Sequence, residues 1–225
     1  RDTSVTGVQT CALPIYRSLG EYERAIDLYE QHLVIAREIG DRGWEGTTLG
    51  NLGKAYNDLG QYERAIDFHQ QSLAVARESK DRIGEAHALV NLGATYNNLG
   101  QYERAIDFHQ QAMAIYRELG DRTGESAALG SLGNAYNDLG RYDRAVDFYE
   151  QALAIFRDLE NRAGEGAVLG GLGNAYDSLG QYERAIDLHE RSLAITREIG
   201  DRRGEGITIN NLGVVYRNQI GRAHV

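Results

Sequence analysis

The chain repeats itself every 40 residues, and no other property constrains its fold as much. Gln61-Tyr-Glu-Arg-Ala-Ile-Asp67 returns at Gln101–Asp107 and Gln181–Asp187, with variants at Glu21–Asp27 and Arg141–Asp147. A second block, Asn51-Leu-Gly-Lys-Ala-Tyr56, returns at Asn91–Tyr96, Ser131–Tyr136, Gly171–Tyr176 and Asn211–Tyr216 with no slip of register. Such self-similarity describes one supersecondary unit copied along the chain, not one globular core of 225 residues.

Each unit reads as two helices. Leu49, Leu52, Ala55, Tyr56 and Leu59 form one apolar stripe, and Tyr62, Ala65, Ile66, His69, Leu73 and Ala76 form another. Their spacings of three and four are those of a 3.6-residue helix, not of strand alternation. Gly60, Gly100, Gly140 and Gly180 close the first-type helices. Gly40, Gly120 and Gly200 close the second-type helices, each supplying the left-handed residue that ends a helix. Lys80 and Glu160 stand where that second set has Gly. Asp41, Asp81, Asp121 and Asp201 follow as N-caps, with Glu45 and its copies in the next first turn.

Second-type helices are therefore expected at about 22–39, 62–79, 102–119, 142–159 and 182–199, and first-type helices at about 43–59, 83–99, 123–139, 163–179 and 203–219. Connections this short make neighbouring helices antiparallel. One pair cannot bury its own apolar faces, but stacked pairs can, so the expected fold is an all-α solenoid with contacts mainly between neighbours.

Composition excludes several classes. A single Cys makes no intramolecular disulfide and no multi-thiolate zinc site. With 24 Lys+Arg against 33 Asp+Glu, the chain lacks the basic footprint of a nucleic-acid binder. Its apolar runs are far short of the ~20 residues that span a membrane. No nucleic-acid or membrane partner is expected, and the cysteine usage is compatible with a cytoplasmic location.

The two ends depart from the repeat. Ile220-Gly-Arg-Ala-His-Val225 can be encoded by ATCGGAAGAGCACACGTC, whose reverse complement, read one frame over, encodes Thr10-Cys-Ala-Leu-Pro-Ile15. Inverted matching ends resemble translated sequencing adapter. Residues 1–15 and 220–225 are therefore expected to be non-native tails around an array at 16–219. That array reads as a helix stump and second helix at 16–40, full repeats at 41–80, 81–120, 121–160 and 161–200, and the first helix of the next repeat at 201–219. Stacking faces left open near Ile26, Leu33, Leu212 and Val215 are expected to permit non-native self-association.

Leu52-Gly53 and Tyr56, followed by Ala65, His69 and Ser72, resemble the tetratricopeptide repeat. The 40-residue length and the Gly-Asp-Arg-x-Gly-Glu junction are most similar to the longer-repeat subclass of kinesin light chain, Partner-of-Inscuteable adaptors and many bacterial arrays. The resemblance implies a right-handed superhelical α-solenoid of antiparallel helix pairs. Departures are the missing Pro near the end of the unit and His32 at a small-residue site. Gly53, Gly93, Gly133, Gly173 and Gly213 fall inside first-type helices, where Gly is about 1 kcal/mol worse than Ala. Their recurrence implies close approach of the neighbouring helix, not a phosphate cradle, which would need a preceding strand.

No catalytic group stands out from the repeat. His69, His109 and His189 share one position with Tyr29 and Tyr149, an interchange that suits packing. Copies of that position lie roughly 10 Å apart, too far to share a metal. Repeated carboxylates offer identical environments, whereas acid–base catalysis needs two that differ. No enzyme activity, metal or cofactor is expected. Asp27, Asp67 and their copies, three residues after Arg24 and Arg64, are expected to form surface ion pairs.

The remaining feature is a polar face on the first-type helices: Asn51, Lys54 and Asn57, then Asn91, Asn97 and Asn98, then Asn134 and Asn137, then Asn174 and Asp177, then Asn210 and Asn211. Asn is a mediocre helix former, so its repetition needs a reason. The resemblance implies that these helices line a concave surface where Asn amides hold the backbone of a bound peptide, since an amide both donates and accepts. The alternative is that they are solvated or link adjacent repeats. Gly50, Ala127 and Ser131 carry no cation, so a clamp for a C-terminal carboxylate is not expected. Small walls at Gly50, Gly130, Gly170 and Ala94, with Val90 and Val214, suit a neutral or basic segment that packs closely. A non-catalytic peptide- or protein-binding scaffold is the leading expectation. The sensing arm of a caspase-like protease, kinase or transcriptional regulator is the alternative.

Overall fold

The computed structural model describes residues 21–223, with side chains to Gly221. The expected tail at 1–15 and helix stump at 16–20 lie outside the described residues. Ten helices occupy the described chain: α1 (Tyr22–Ile39), α2 (Arg42–Asp58), α3 (Tyr62–Ser79), α4 (Arg82–Asn98), α5 (Tyr102–Leu119), α6 (Arg122–Asp138), α7 (Tyr142–Asp158), α8 (Arg162–Ser178), α9 (Tyr182–Glu198) and α10 (Arg202–Ala223). Odd-numbered helices are the second type and even-numbered ones the first type. First-type helices start one residue before the expected position. Asp41, Asp81, Asp121 and Asp201, and Asn161 in the fourth copy, cap them by accepting a backbone N–H three residues on, at 2.9 Å each. The last helix, α10, continues past Gln219 to Ala223.

All seven closing glycines have φ between 69° and 76°. Lys80 and Glu160 adopt the same left-handed conformation at φ 57° and 52°, a strained one for residues with a Cβ. Each second-type helix thus ends identically whether or not Gly is present. Asp41 N–H, for example, bonds to the Ala36 carbonyl at 2.9 Å, and Asn161 N–H to that of Phe156 at 2.8 Å.

The chain divides into two compact units, one ending at Ile115 and one beginning at Tyr116. In the first, α1, α2, α3 and α4 pack each on the next, and α2 also touches α4. In the second, α6 to α10 pack in the same way, and α6 touches α8 as α8 touches α10. Successive first-type helices therefore lie against one another within each unit.

The core comes from the predicted stripes. Leu49, Leu52, Leu92 and Leu132 are fully buried, and Leu89, Leu129 and Leu169 nearly so. Four of the five mid-helix glycines meet rings from the following helix. A Cβ on Gly93, Gly133 or Gly173 would lie 2.5–2.6 Å from the ring of His109, Tyr149 or His189, and one on Gly53 would collide with His69. Those imidazoles are buried, and burial pushes His69 and His109 down to about 4, with the Lys54 cation adding to the effect at His69. Burial also lowers His189, partly offset by Asp177.

Polar contacts fasten the helix pairs. Ser72 and Ser192 donate to the carbonyls of Gly46 and Gly166 at 2.8 Å. Glu45 sits between Arg37 and Arg42 at 2.9 and 2.6 Å, and Glu125 sits between Arg117 and Arg122 at 2.7 and 3.0 Å. Glu85, Glu165 and Glu205 repeat this arrangement, each carboxylate being largely buried. Hydrogen bonds from Arg37 hold the Glu45 carboxyl below the usual range against the pull of burial.

Three local arrangements stand out. Arg64 does not pair with Asp67 but lies 4.0 Å over the Tyr56 ring, itself stacked on Phe68. Asp67 accepts from Gln71 instead, at 3.1 Å. A guanidinium is weakly hydrated and gains more over an aromatic face than in an exposed pair. His32 is accommodated by Thr48 Oγ1 at 2.6 Å and by the Trp44 ring. Finally, Ile26, Leu33 and Val215 are buried, and Leu212 is half-buried. Val215 belongs to the inner stripe of α10. The exposed apolar residues of that helix are Ile207, Ile209, Tyr216 and Ile220.

Candidate functional site

Positions 47, 51, 54 and 58 and their copies share one face of each first-type helix, being four, three and four residues apart. Position 47 is exposed in every copy (Thr47, His87, Ala127, Ala167, Ile207), a continuation of the face that the polar pattern alone did not mark. Lys54, Asn98, Asn134, Asn174 and Asn210 are exposed. Asn51, Asn57, Asn91, Asn97, Asn137, Asp177 and Asn211 are half-buried. The Oδ1 atoms of Asn97 and Asn137 are themselves buried, so these two turn their oxygens inward, not toward the open face.

Several of these amides bridge repeats. Asn98 Nδ2 donates to Asn57 Oδ1 at 3.1 Å in the first unit. In the second, Asn211 Nδ2 donates to Asn174 Oδ1 at 3.2 Å, and Asn218 Nδ2 donates to both carboxylate oxygens of Asp177, at 3.2 and 3.0 Å. Asn134 Oδ1 accepts from the Tyr149 hydroxyl at 2.6 Å. The bridging arrangement weighed from sequence is thus present for part of the set. It uses one polar atom of each amide and leaves others for a further partner.

The floor between the amides is bare. A Cβ on Gly130 would have Val168 as its near neighbour at 3.8 Å, and one on Gly170 the Ser192 hydroxyl at 3.6 Å. Val90, the copy of Gly130 and Gly170, and Val214, the copy of Asn134 and Asn174, are half-buried and add apolar surface. Asp58 and Asp138 are exposed on the same face and, with Asp177, make it acidic. Among the described residues, no group of three or more His, Cys, Asp or Glu is placed to hold a metal ion. No helix there is long and apolar enough to cross a membrane.

A model of the tetratricopeptide repeat matches residues 15–78, 84–158 and 161–224. A search of curated proteins gives no match. Solved structures share the fold. BtubC (BKLC) from P. vanneervenii superposes with a TM-score of 0.77 at 24% identity, over 88% of this chain and 84% of that one. A signal transduction ATPase with numerous domains and a tetratricopeptide repeat sensor, from Pyrococcus horikoshii, gives 0.80 at 20% identity. That match covers 92% of this chain but 32% of the ATPase. A Rap protein complexed with Competence and Sporulation Factor gives 0.78 at 16% identity, over 94% and 62% of the two chains.

Proposed function

Because this chain belongs to the tetratricopeptide repeat family, we propose that it is a non-catalytic scaffold that holds a peptide or protein segment along its first-type helices. The observation that carries this reading is the register of the open face. Exposed Asn134 and Asn174 recur one repeat apart on helices that touch, above a floor of Gly130 and Gly170. Direct contact between successive first-type helices supports placing them on the inner, concave side of the stack. A bare floor lets a ligand backbone approach closely, and side-chain amides suit a peptide group whatever its sequence. The exposed Asp58 and Asp138 favour a neutral or basic segment.

The test is a double substitution in the second unit. A peptide selected by display on the full chain is expected to bind Asn134→Ala/Asn174→Ala roughly ten- to a hundredfold more weakly, since two hydrogen bonds are lost. Helicity by circular dichroism is expected to be unchanged. Equal affinity for the double variant contradicts the assignment.

A second reading has one specific support. The fold of this chain matches 92% of its length to a part of a signal transduction ATPase described as having a tetratricopeptide repeat sensor. On that reading the array is the sensing arm of a larger regulator or enzyme, using the same face. Our proposal also includes a cytoplasmic setting. Non-native self-association is proposed at α10, where Ile209, Tyr216 and Ile220 are 45–59% exposed.

A further inference from the structure

The position that packs on the mid-helix glycines is His at 69, 109 and 189 but Tyr at 149. The difference matters because Tyr is longer. The Tyr149 ring covers Gly133 and is buried, with its hydroxyl 2.6 Å from Asn134 Oδ1. The tip reaches the open face beside Gly171, where a Cβ would stand 2.7 Å from Cζ and 3.0 Å from the hydroxyl. Most copies of position 171 carry a side chain (Asn51, Asn91, Ser131, Asn211). Gly171 is thus the gap through which this hydroxyl meets Asn134.

We propose that Tyr149 is a positioning residue that fixes the hydrogen-bonding sense of Asn134. The inference rests on the peptide-binding reading above. The Tyr149 hydroxyl donates to the amide oxygen, which leaves the amide NH2 as the group Asn134 offers to a ligand. Asn174, one repeat on, is oriented the same way, because its Oδ1 accepts from Asn211 Nδ2 at 3.2 Å. The pair therefore presents two donors. The ligand chemistry that fits is a hydrogen-bond acceptor at each site, namely backbone carbonyl oxygens of an extended segment, rather than its N–H groups. A side-chain amide free to flip serves either sense, so pre-orienting it gives this stretch a polarity the repeated Asn alone does not supply.

Two measurements on the full chain test the proposal. In the free protein, NMR is expected to show a slowly exchanging Tyr149 hydroxyl proton, and Tyr149→Phe is expected to shift the Asn134 side-chain NH2 resonances. A rapidly exchanging hydroxyl with no shift in the variant overturns the proposal without reference to any ligand. In the second, a display-selected peptide is titrated at a temperature where all variants are fully folded. Asn134→Ala and Tyr149→Phe are each expected to weaken binding by about three- to tenfold. Tyr149→His, which installs the residue found at positions 69, 109 and 189, is expected not to recover the affinity. If Asn134→Ala weakens binding while Tyr149→Phe leaves it unchanged, the face stands and the positioning role is overturned. If Asn134→Ala itself has no effect, the face assignment fails, and the acceptor chemistry inferred here fails with it.

Discussion

Lowering the pH from 7 to 4 is expected to destabilise the chain steeply, and the imidazoles beneath Gly53 and Gly93 are the cause. His69 and His109 are buried in the core and held near 4, against an ordinary value of 6.5. Above pH 6.5 they are neutral in folded and unfolded chains alike and contribute no pH dependence. Below it the unfolded chain takes up protons that the folded chain refuses, so stability falls until the folded-state value near 4 is reached. A displacement of this size corresponds to on the order of 3 kcal/mol per imidazole. His189 acts in the same direction. The buried carboxylates Glu45, Glu85, Glu165 and Glu205 are lowered, so their contribution is present above the ordinary value of 4.5 and is lost only as pH falls below it. The two windows therefore separate. Chemical denaturation at several pH values is expected to show the imidazole loss between 6.5 and 4. Replacing His69 and His109 by Gln, a neutral side chain that does not titrate in this range, is expected to flatten that interval. Imidazole titrations near 6.5 by NMR contradict the account.

A single methyl group is expected to have the second-largest effect. Gly93→Ala replaces a poor helix former with the best one, which on propensity alone adds about 1 kcal/mol of stability. The His109 ring, however, would lie 2.5 Å from the new Cβ and is buried on the other sides. Overpacking of this kind costs about 1–3 kcal/mol, and here it also displaces the helix that carries the ring. The net expectation is a loss of up to about 2 kcal/mol once both terms are counted. Gly213 provides the control. It occupies the same place in its repeat but has nothing within 4 Å of a built Cβ, so Gly213→Ala is expected to stabilise. Thermal melts of the two variants should move in opposite directions. A gain in both would mean the glycines are not there for close approach.

These two cases show what was legible in the sequence. The period located every described helix to within about a residue at its start, and glycine positions announced both the helix ends and the helix crossings. The same spacing marked His69, His109 and His189 as packing residues. What it did not announce was which atom meets which across a crossing. Periodicity relates residues on one helix. Contacts between helices depend on crossing geometry and side-chain length. Arg64 chose the Tyr56 ring over Asp67, and Glu45 gathered Arg37 and Arg42 from two helices. Tyr149 reached Asn134 because its six-membered ring and hydroxyl extend beyond the reach of an imidazole and it faces Gly171. On α10, Val215 faces inward while Ile209 and Tyr216 face outward, a division that the repeat pattern alone did not mark. The candidate face was legible as a set of repeated amides. The bridges that occupy Asn57, Asn174 and Asp177 were not, since each pairs residues about 40 apart in sequence.

The central claim is that the open face of the first-type helices holds the ligand. Its most direct test is a side-chain amide map: proton–nitrogen NMR spectra of the full chain recorded while a display-selected peptide is added. The account predicts that the NH2 resonances of Asn134, Asn174 and Asn211 move together and saturate at one stoichiometry. Shifts confined to the Arg–Glu junctions, or to Ile209, Tyr216 and Ile220 on α10, with those amides unmoved, would contradict it.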